Sequence, residues 1–165
     1  MEFARLVRHL FATRGATKRR FPEEVLQSVE AAIAGAEARS SAEVRFVVET
    51  ALDLPEVWAG VGARQRAVQT FSDLHIWNTE LRNGVLIYVL LADRDVEIVA
   101  DRGATRVIDQ ADWEGVCRIM EGHFGAGRFA EGAVAGVEAV GGLLARHFPP
   151  QGRNRDELPN QPTLL

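Results

Sequence analysis

The stretch that decides the fold is residues 82–103, which read RNGVLIYVLLADRDVEIVADRG. Residues 85–91 form an unbroken apolar run, which is typical of a β-strand covered on both faces. Residues 96–100 alternate between apolar and polar side chains, as a half-buried strand does. The few residues between the two runs leave no room for a crossover connection, so the pair is predicted to be an antiparallel hairpin.

The segments around this hairpin predict a small mixed sheet between two layers of helices. Apolar residues at helical spacing follow Pro22, and residues 44–48 then have the pattern of a strand. A helix over about 55–75 separates that strand from the hairpin, which predicts a parallel pair with a right-handed crossover. The expected fold class is α/β, a three-layer α/β/α sandwich whose sheet has one parallel strand pair and one antiparallel hairpin. A fourth strand is placed near residues 105–108.

Composition divides the chain into three parts. Residues 1–20 carry six Arg or Lys against one Glu, and the spacing over 2–13 predicts a basic amphipathic helix followed by a linker. That helix is expected either to dock on the domain or to make peripheral contact with an anionic membrane surface. Residues 21–148 are the α/β domain. Residues 149–165 are a Pro-rich tail with too few apolar residues to fold alone.

Length and composition also limit the function classes. A chain of 165 residues, 47% of them hydrophobic, suffices for one domain with a sizeable core. The net charge of −4 argues against a nucleic-acid binder, which would usually be basic. The single cysteine, Cys117, excludes an internal disulfide and is expected to be a buried, inert thiol. No secretory signal and no run of roughly 18 apolar residues is visible, so the chain is expected to be soluble and cytoplasmic.

The best candidate site lies at the ends of two predicted strands. If these strands are parallel, Asp53 meets the turn residues 93–95 beyond their carboxyl ends, where open α/β sheets usually bind ligands. Asp53, Asp93 and Asp95 would hold a divalent cation, calcium or magnesium, because hard cations prefer oxygen ligands. Arg94 would bind a phosphate-like group through its planar fork. The alternative interpretation is that the aspartates simply form an acidic hairpin turn.

The rest of the sequence offers no recognisable catalytic constellation. The four histidines show no paired ligand spacing, and no Ser or Cys lies in a nucleophile-elbow motif. Polar residues at the opposite edge of the sheet are interpreted mainly as strand-entry and strand-exit turns. They are Glu43, Arg82, Asn83, Asp101 and Arg102.

Five short motifs in a fixed order give the chain a family resemblance. They are Ser41-Ala42-Glu43-Val44, Asn83-Gly84-Val85-Leu86, Asp93-Arg94, Asp101-Arg102-Gly103, and the spaced Phe124, Gly127-Arg128-Phe129 and Gly132. With these motifs residues 22–148 resemble the TPM domain, which is named for thylakoid-lumen phosphatase, photosystem-repair and receptor-modulator members. The tail, with Asn154 and residues 157–159, is similar to that of the short bacterial members.

The resemblance implies an α/β/α sandwich, divalent-cation binding in some relatives and a phosphatase activity in a plant member. By this resemblance, a site for a cation and a phosphate is expected at Asp93 and Arg94, with Asp53 as a further ligand. Typical relatives have a signal peptide and a membrane anchor, which this sequence does not show. Where many relatives leave the hairpin through glycine-tyrosine-glycine, this chain has residues 101–103, Asp-Arg-Gly.

Two functions follow from these observations. The first is a non-enzymatic binding or accessory module that recognises a divalent cation or a protein partner in a membrane-associated process. It is favoured by the missing catalytic set and by the basic first helix. The alternative is a metal-dependent acid phosphatase, in which Asp53 and Asp93 hold the metal and Arg94 binds the phosphate.

Overall fold

The computed structural model describes residues 2–152 and 156–165. Its helices are α1 (Glu2–Phe11), α2 (Arg14–Arg20), α3 (Glu23–Glu37), α4 (Leu54–Trp58), α5 (Ala63–Asp73), α6 (Arg102–Thr105), α7 (Gln110–Gly125) and α8 (Phe129–His147). Its strands are β1 (Val44–Glu49), β2 (Val85–Leu90), β3 (Asp95–Ala100) and β4 (Thr163–Leu164).

The four strands form one sheet in the order β3-β2-β1-β4. β1 and β2 are parallel, with Val44 opposite Val85, and β2 and β3 are antiparallel, with Leu90 opposite Asp95. The expected α/β fold, with a parallel pair and an antiparallel hairpin in a mixed sheet, is confirmed.

β2 lies in the interior of this sheet and is buried on both faces. Alternate side chains of a strand point to opposite faces, so the strand contributes to two separate cores. Val85, Ile87 and Val89 enter the core shared with α3, α7 and α8. Leu86, Tyr88 and Leu90 enter the core shared with α4 and α5. The unbroken apolar run in the sequence is the consequence of this double burial.

The prediction of a strand near residues 105–108 is wrong. Asp101 begins α6 instead, because its carboxylate accepts a hydrogen bond from the backbone N–H of Arg102 at 2.7 Å. The backbone N–H of Thr105 then bonds to the carbonyl oxygen of Asp101 at 3.0 Å, which closes a helical turn. The fourth strand is β4 in the tail, which pairs in parallel with β1. A strand of two residues has no periodicity for a sequence pattern to reveal.

Gly141 allows α8 to lie very close to α3. A Cβ atom added at Gly141 would lie 2.7 Å from the Cβ of Ala36, which is closer than carbon atoms approach. At the adjacent Gly142 an added Cβ would meet nothing within 4 Å. Although α8 is rich in apolar residues, neither it nor any other described helix has the length and apolarity needed to cross a bilayer.

This contact gives a prediction with a matched control in the next residue. Gly141→Ala is expected to lower the free energy of unfolding by about 1–3 kcal/mol, because the added methyl group overpacks the α3–α8 contact. Gly142→Ala is expected to raise it by up to about 1 kcal/mol, because alanine is the better helix former. Urea denaturation followed by circular dichroism measures both, and equal effects of the two variants would contradict the close approach at Gly141.

Candidate functional site

The hairpin turn between β2 and β3 sends two adjacent side chains to opposite faces of the sheet. Arg94 has the left-handed backbone conformation, with φ of +57°, and its N–H donates to the carbonyl oxygen of Leu91 at 3.2 Å. Asp93 contacts α1, whereas Arg94 lines a cavity beside α7 and α8. The turn therefore places an anion on one face and a cation on the other, both at the carboxyl edge of the sheet.

Asp93 is held by three cationic or polar side chains of α1. Arg5 donates from Nε and Nη2 to Oδ2 of Asp93 at 3.0 and 2.8 Å, and Arg8 Nη2 lies 3.4 Å from Oδ1. His9 Nε2 lies 3.0 Å from the same Oδ1. Burial alone would raise the pKa of Asp93, but the hydrogen bonds from Arg5 and His9 outweigh burial and hold that pKa below its usual value.

The hydrogen bonds of His9 fix its tautomer. The backbone N–H of Leu52 donates to His9 Nδ1 at 3.0 Å, so Nδ1 carries no proton. The ring proton is therefore on Nε2, from which neutral His9 donates to Asp93. His9 is buried and thereby ties together α1, the hairpin turn and the loop after β1.

The orientation of α1 is largely the reverse of that of an ordinary surface helix, which buries its apolar side and exposes its polar side. The polar side chains Arg5 and His9 face the domain together with Leu6, while Phe3, Leu10 and Phe11 face solvent. Phe3, Leu10 and Phe11 are 78%, 58% and 74% exposed, and Trp58 on the neighbouring α4 is 81% exposed. α1 thus docks on the domain and leaves an apolar surface uncovered, which is unusual for a soluble protein surface. We call Phe3, Leu10, Phe11 and Trp58 the outer apolar face.

The three aspartates of the predicted cation site lie in different environments. Asp53 is exposed at the start of α4, where its backbone N–H donates to Oε2 of Glu56 at 3.0 Å. Asp95 is half-buried, and burial and the charge of Asp93 raise its pKa. Within residues 2–152 and 156–165, this trio is not among the sets of three whose ligand atoms approach within 4.8 Å. A cation at Asp93 would also have to displace Arg5.

Three other carboxylates do come together, at the opposite edge of the sheet. Oxygen atoms of Glu37, Glu43 and Asp156 all lie within 4.8 Å of one another. Glu37 accepts a hydrogen bond from the N–H of Val44 at 2.9 Å, and Glu43 accepts one from the N–H of Leu158 at 3.1 Å. Burial raises the pKa of Glu37 to about 8 and also raises that of Glu43. The sequence hides this group because its members lie at the end of α3, before β1 and in the tail.

A cavity of about 490 Å³ opens on the face of the sheet to which Arg94 points. Its walls include Val89 and Leu91 at the end of β2, and Arg20 at the end of α2. The guanidinium of Arg20 lies 5.3 Å from the centre of the Phe129 ring. We call this space the Arg20–Arg94 pocket.

Other reactive groups at this end of the molecule already have partners or are inert. Glu49 accepts two charge-assisted hydrogen bonds from Arg66, at 2.9 and 3.0 Å, and one from the hydroxyl of Tyr88. Cys117 is half-buried, and burial, followed by the charges of Glu97 and Glu121, raises its pKa to about 12. The thiol is therefore protonated at neutral pH, which agrees with the inert thiol expected from the sequence.

Comparisons with known proteins identify the family of this fold. A sequence profile of the TPM domain matches residues 19–143. The chain belongs to the TPM domain family. The NMR structure of the BA42 protein from the psychrophilic bacterium Bizionia argentinensis is similar to it, with 33% sequence identity and a TM-score of 0.75, over 86% of this chain and 92% of that one. No curated protein sequence is significantly similar to the chain.

Several motif residues of this TPM domain hold the backbone in place. Asn83 is buried and donates from Nδ2 to the carbonyl oxygen of Ser41 at 2.9 Å, which joins the starts of β1 and β2. At Gly103 an added Cβ would lie 2.5 Å from the carbonyl oxygen of Arg82, so only glycine fits there. These contacts support the turn interpretation of that edge. Asn154, which contributed to the resemblance of the tail, lies outside the described residues.

The contacts of Asp93 predict the conditions under which α1 detaches from the TPM domain. Asp93→Asn is expected to lower the free energy of unfolding by about 1–3 kcal/mol and to release α1, because Arg5 loses its anionic partner. The measurement is hydrogen exchange of the α1 amides, together with urea denaturation. Since the pKa of Asp93 is lowered in the folded state, the same release is expected in the wild-type protein only below about pH 4, as the carboxylate is protonated.

Asp95→Asn is the matched control, because it removes a charge from the same turn, and the charge of Arg5 is only the smallest of the influences on the pKa of Asp95. It is expected to leave the exchange of the α1 amides unchanged. If Asp93→Asn also leaves α1 protected, the helix is held by its apolar contacts instead.

Proposed function

We propose that this TPM domain is a non-enzymatic binding module that works in an accessory role at an anionic membrane surface, which it reaches through α1. The observation that carries the proposal is the outer apolar face, in which Phe3, Leu10 and Phe11 point away from the domain. A helix that exposes its apolar side has to be covered, and the boundary between lipid headgroups and acyl chains suits aromatic and leucine side chains.

The distribution of charge favours an anionic membrane as the partner. Residues 2–20 carry a net charge of +5, from six Arg or Lys and Glu2, whereas the remainder of the chain carries −9. Arg14, Lys18 and Arg19 follow α1 directly and are exposed. An anionic surface therefore attracts the N-terminal end and repels the rest, which orients the domain with α1 against the lipid.

Vesicle sedimentation tests this surface. We expect the protein to bind phosphatidylglycerol-containing vesicles more strongly than pure phosphatidylcholine vesicles, and less strongly as salt is added. Phe11→Ser is expected to weaken binding at least about tenfold, since one buried phenylalanine contributes about 1.5–3 kcal/mol. Phe11 is 74% exposed, so its replacement should not disturb the fold.

Ile119→Ser provides the control, because Ile119 is an exposed apolar residue of α7, 47% accessible, and is not part of the outer apolar face. It is expected to leave vesicle binding unchanged. Equal loss in both variants, or no sedimentation with either vesicle, would overturn the proposal. A dimer in light scattering that Phe11→Ser dissociates, without vesicle binding, would instead assign the face to a second copy of the chain.

A divalent cation is the second candidate ligand of the module. The observation that favours it is the approach of Glu37, Glu43 and Asp156 within 4.8 Å. In addition, the side-chain oxygen of Asn160 is buried without a hydrogen-bond partner among the described residues, while Asn160 also hydrogen-bonds to Glu37. A cation would neutralise the buried carboxylates and use oxygen ligands of the kind calcium and magnesium prefer.

A calcium titration followed by amide NMR distinguishes this group from the aspartates that the sequence predicted. Shifts are expected at Val44 and Leu158, whose N–H groups bond to Glu37 and Glu43, and they are expected to disappear in Glu37→Gln but not in Asp95→Asn. Shifts confined to residues 93–95 would favour the predicted set of Asp53, Asp93 and Asp95. No shift at millimolar calcium would remove the cation from the proposal.

The alternative function, a metal-dependent acid phosphatase, has less support. It would require Asp93 to exchange Arg5 and His9 for a metal ion, and it would require Asp53 to join it from an exposed position at the start of α4. Release of inorganic phosphate from a phosphate ester by the purified protein would decide for this alternative.

A further inference from the structure

The Arg20–Arg94 pocket lies where α/β sheets commonly bind ligands. It opens beyond the carboxyl end of β2, and its volume of about 490 Å³ is within the usual range for small-molecule sites. Its lining residues come from α2, β2 and its following turn, α7, the loop before α8, and the first residue of α8. None comes from α1 or α4, so the pocket is separate from the outer apolar face.

Two arginines, Arg20 and Arg94, line the pocket, and both are exposed to solvent. Among the described residues Arg94 makes no ion pair or side-chain hydrogen bond, and Arg20 makes only its contact with the Phe129 ring. Arg94 has the left-handed backbone conformation, with φ of +57°, in the turn that forms this edge of the pocket. Two unpaired cations in a concave site favour an anionic ligand.

Aromatic rings form one side of the same pocket. Phe124 and Phe129 are stacked, with ring centres 5.3 Å apart and an angle of 20° between the rings. Phe21 holds them from behind in edge-on contacts at 6.1 and 5.8 Å. A flat apolar group can extend this stack, as aromatic pairs prefer offset parallel arrangements.

Among the described residues, Glu121 is the carboxylate that lines the pocket, and it also contacts β3. Glu121 also lines the neighbouring cleft on the α7 side of β3, where it accepts a hydrogen bond from the N–H of Val96 at 3.4 Å. Burial raises the pKa of Glu121, which lessens its repulsion of an anion. The pocket therefore keeps a net cationic character although Glu121 is one of its lining residues.

We propose that the Arg20–Arg94 pocket binds a small aromatic compound that carries a phosphate or carboxylate group. The anionic group lies between Arg20 and Arg94, where it receives the forked N–H groups of both, and the ring packs beside Phe124 and Phe129. The two parts of the ligand are recognised by different residues, so each can be tested separately.

Isothermal titration calorimetry with phenyl phosphate and with inorganic phosphate tests the assignment. Phenyl phosphate is expected to bind at least tenfold more tightly than inorganic phosphate, because only the ester reaches the rings. Arg94→Gln and Arg20→Gln are each expected to weaken phenyl phosphate binding about tenfold, and Arg94→Lys is expected to weaken it less. Arg106→Gln, a change at an exposed arginine outside the pocket, is expected to have no effect.

Several results would overturn the assignment. Equal binding by Arg94→Gln, Arg20→Gln and Arg106→Gln would exclude the pocket, and equal affinity for the two phosphates would exclude the aromatic part of the ligand. If Arg94→Gln fails to fold, Arg20→Gln gives the same test. Tighter binding of short-chain phosphatidylglycerol than of phenyl phosphate, with the same arginine dependence, would identify the ligand as a lipid headgroup and would contradict the aromatic class.

The same samples separate this inference from the proposed function. Hydrolysis of phenyl phosphate that is lost in Arg94→Gln would support the pocket and would overturn the non-enzymatic role. Vesicle binding that persists in Arg94→Gln, with loss of phenyl phosphate binding, would support both the pocket and the membrane-facing α1.

Discussion

The pairing of β2 with a parallel neighbour on one edge and an antiparallel neighbour on the other is the constraint on which the other elements depend. Its backbone groups bond to β1 and β3, and its side chains fill two cores, so helices have to cover both faces of the sheet. The chain then leaves β2 through a tight turn at the carboxyl edge. Because that turn lies between the two layers, consecutive residues of it reach α1 on one side and the Arg20–Arg94 pocket on the other.

The hairpin, the parallel pair and the two helical layers could be predicted because each has a periodicity that extends over several residues. Residues 85–91 are apolar without interruption since both faces are buried, and this pattern is visible without any tertiary information. β4 could not be predicted for the opposite reason. It consists of two residues whose pairing depends on the position of β1, and its own sequence carries no pattern.

The candidate site was predicted less completely, because a residue type does not reveal its partner. The sequence indicates that α1 is amphipathic, but not which side faces the domain. Asp93 decides this, since its half-buried carboxylate binds Arg5 and His9 and thereby leaves Phe3, Leu10 and Phe11 facing outward. The sequence indicates Arg94 as a residue for anion binding, but it does not indicate that Arg20 and the two stacked rings line the same cavity, because they lie far from Arg94 in the chain. The role of Arg94 and of the three aspartates stays a prediction.

The short strand β4 has a consequence for how this sheet behaves in a crowded solution. It covers part of the free edge of β1, where the N–H of Leu165 bonds to the carbonyl oxygen of Val48 and the N–H of Thr50 bonds to the carbonyl oxygen of Leu165. An uncovered edge of a flat, apolar strand is a template for strands of other molecules. The tail therefore covers part of an edge that would otherwise be open to pairing with strands of other molecules.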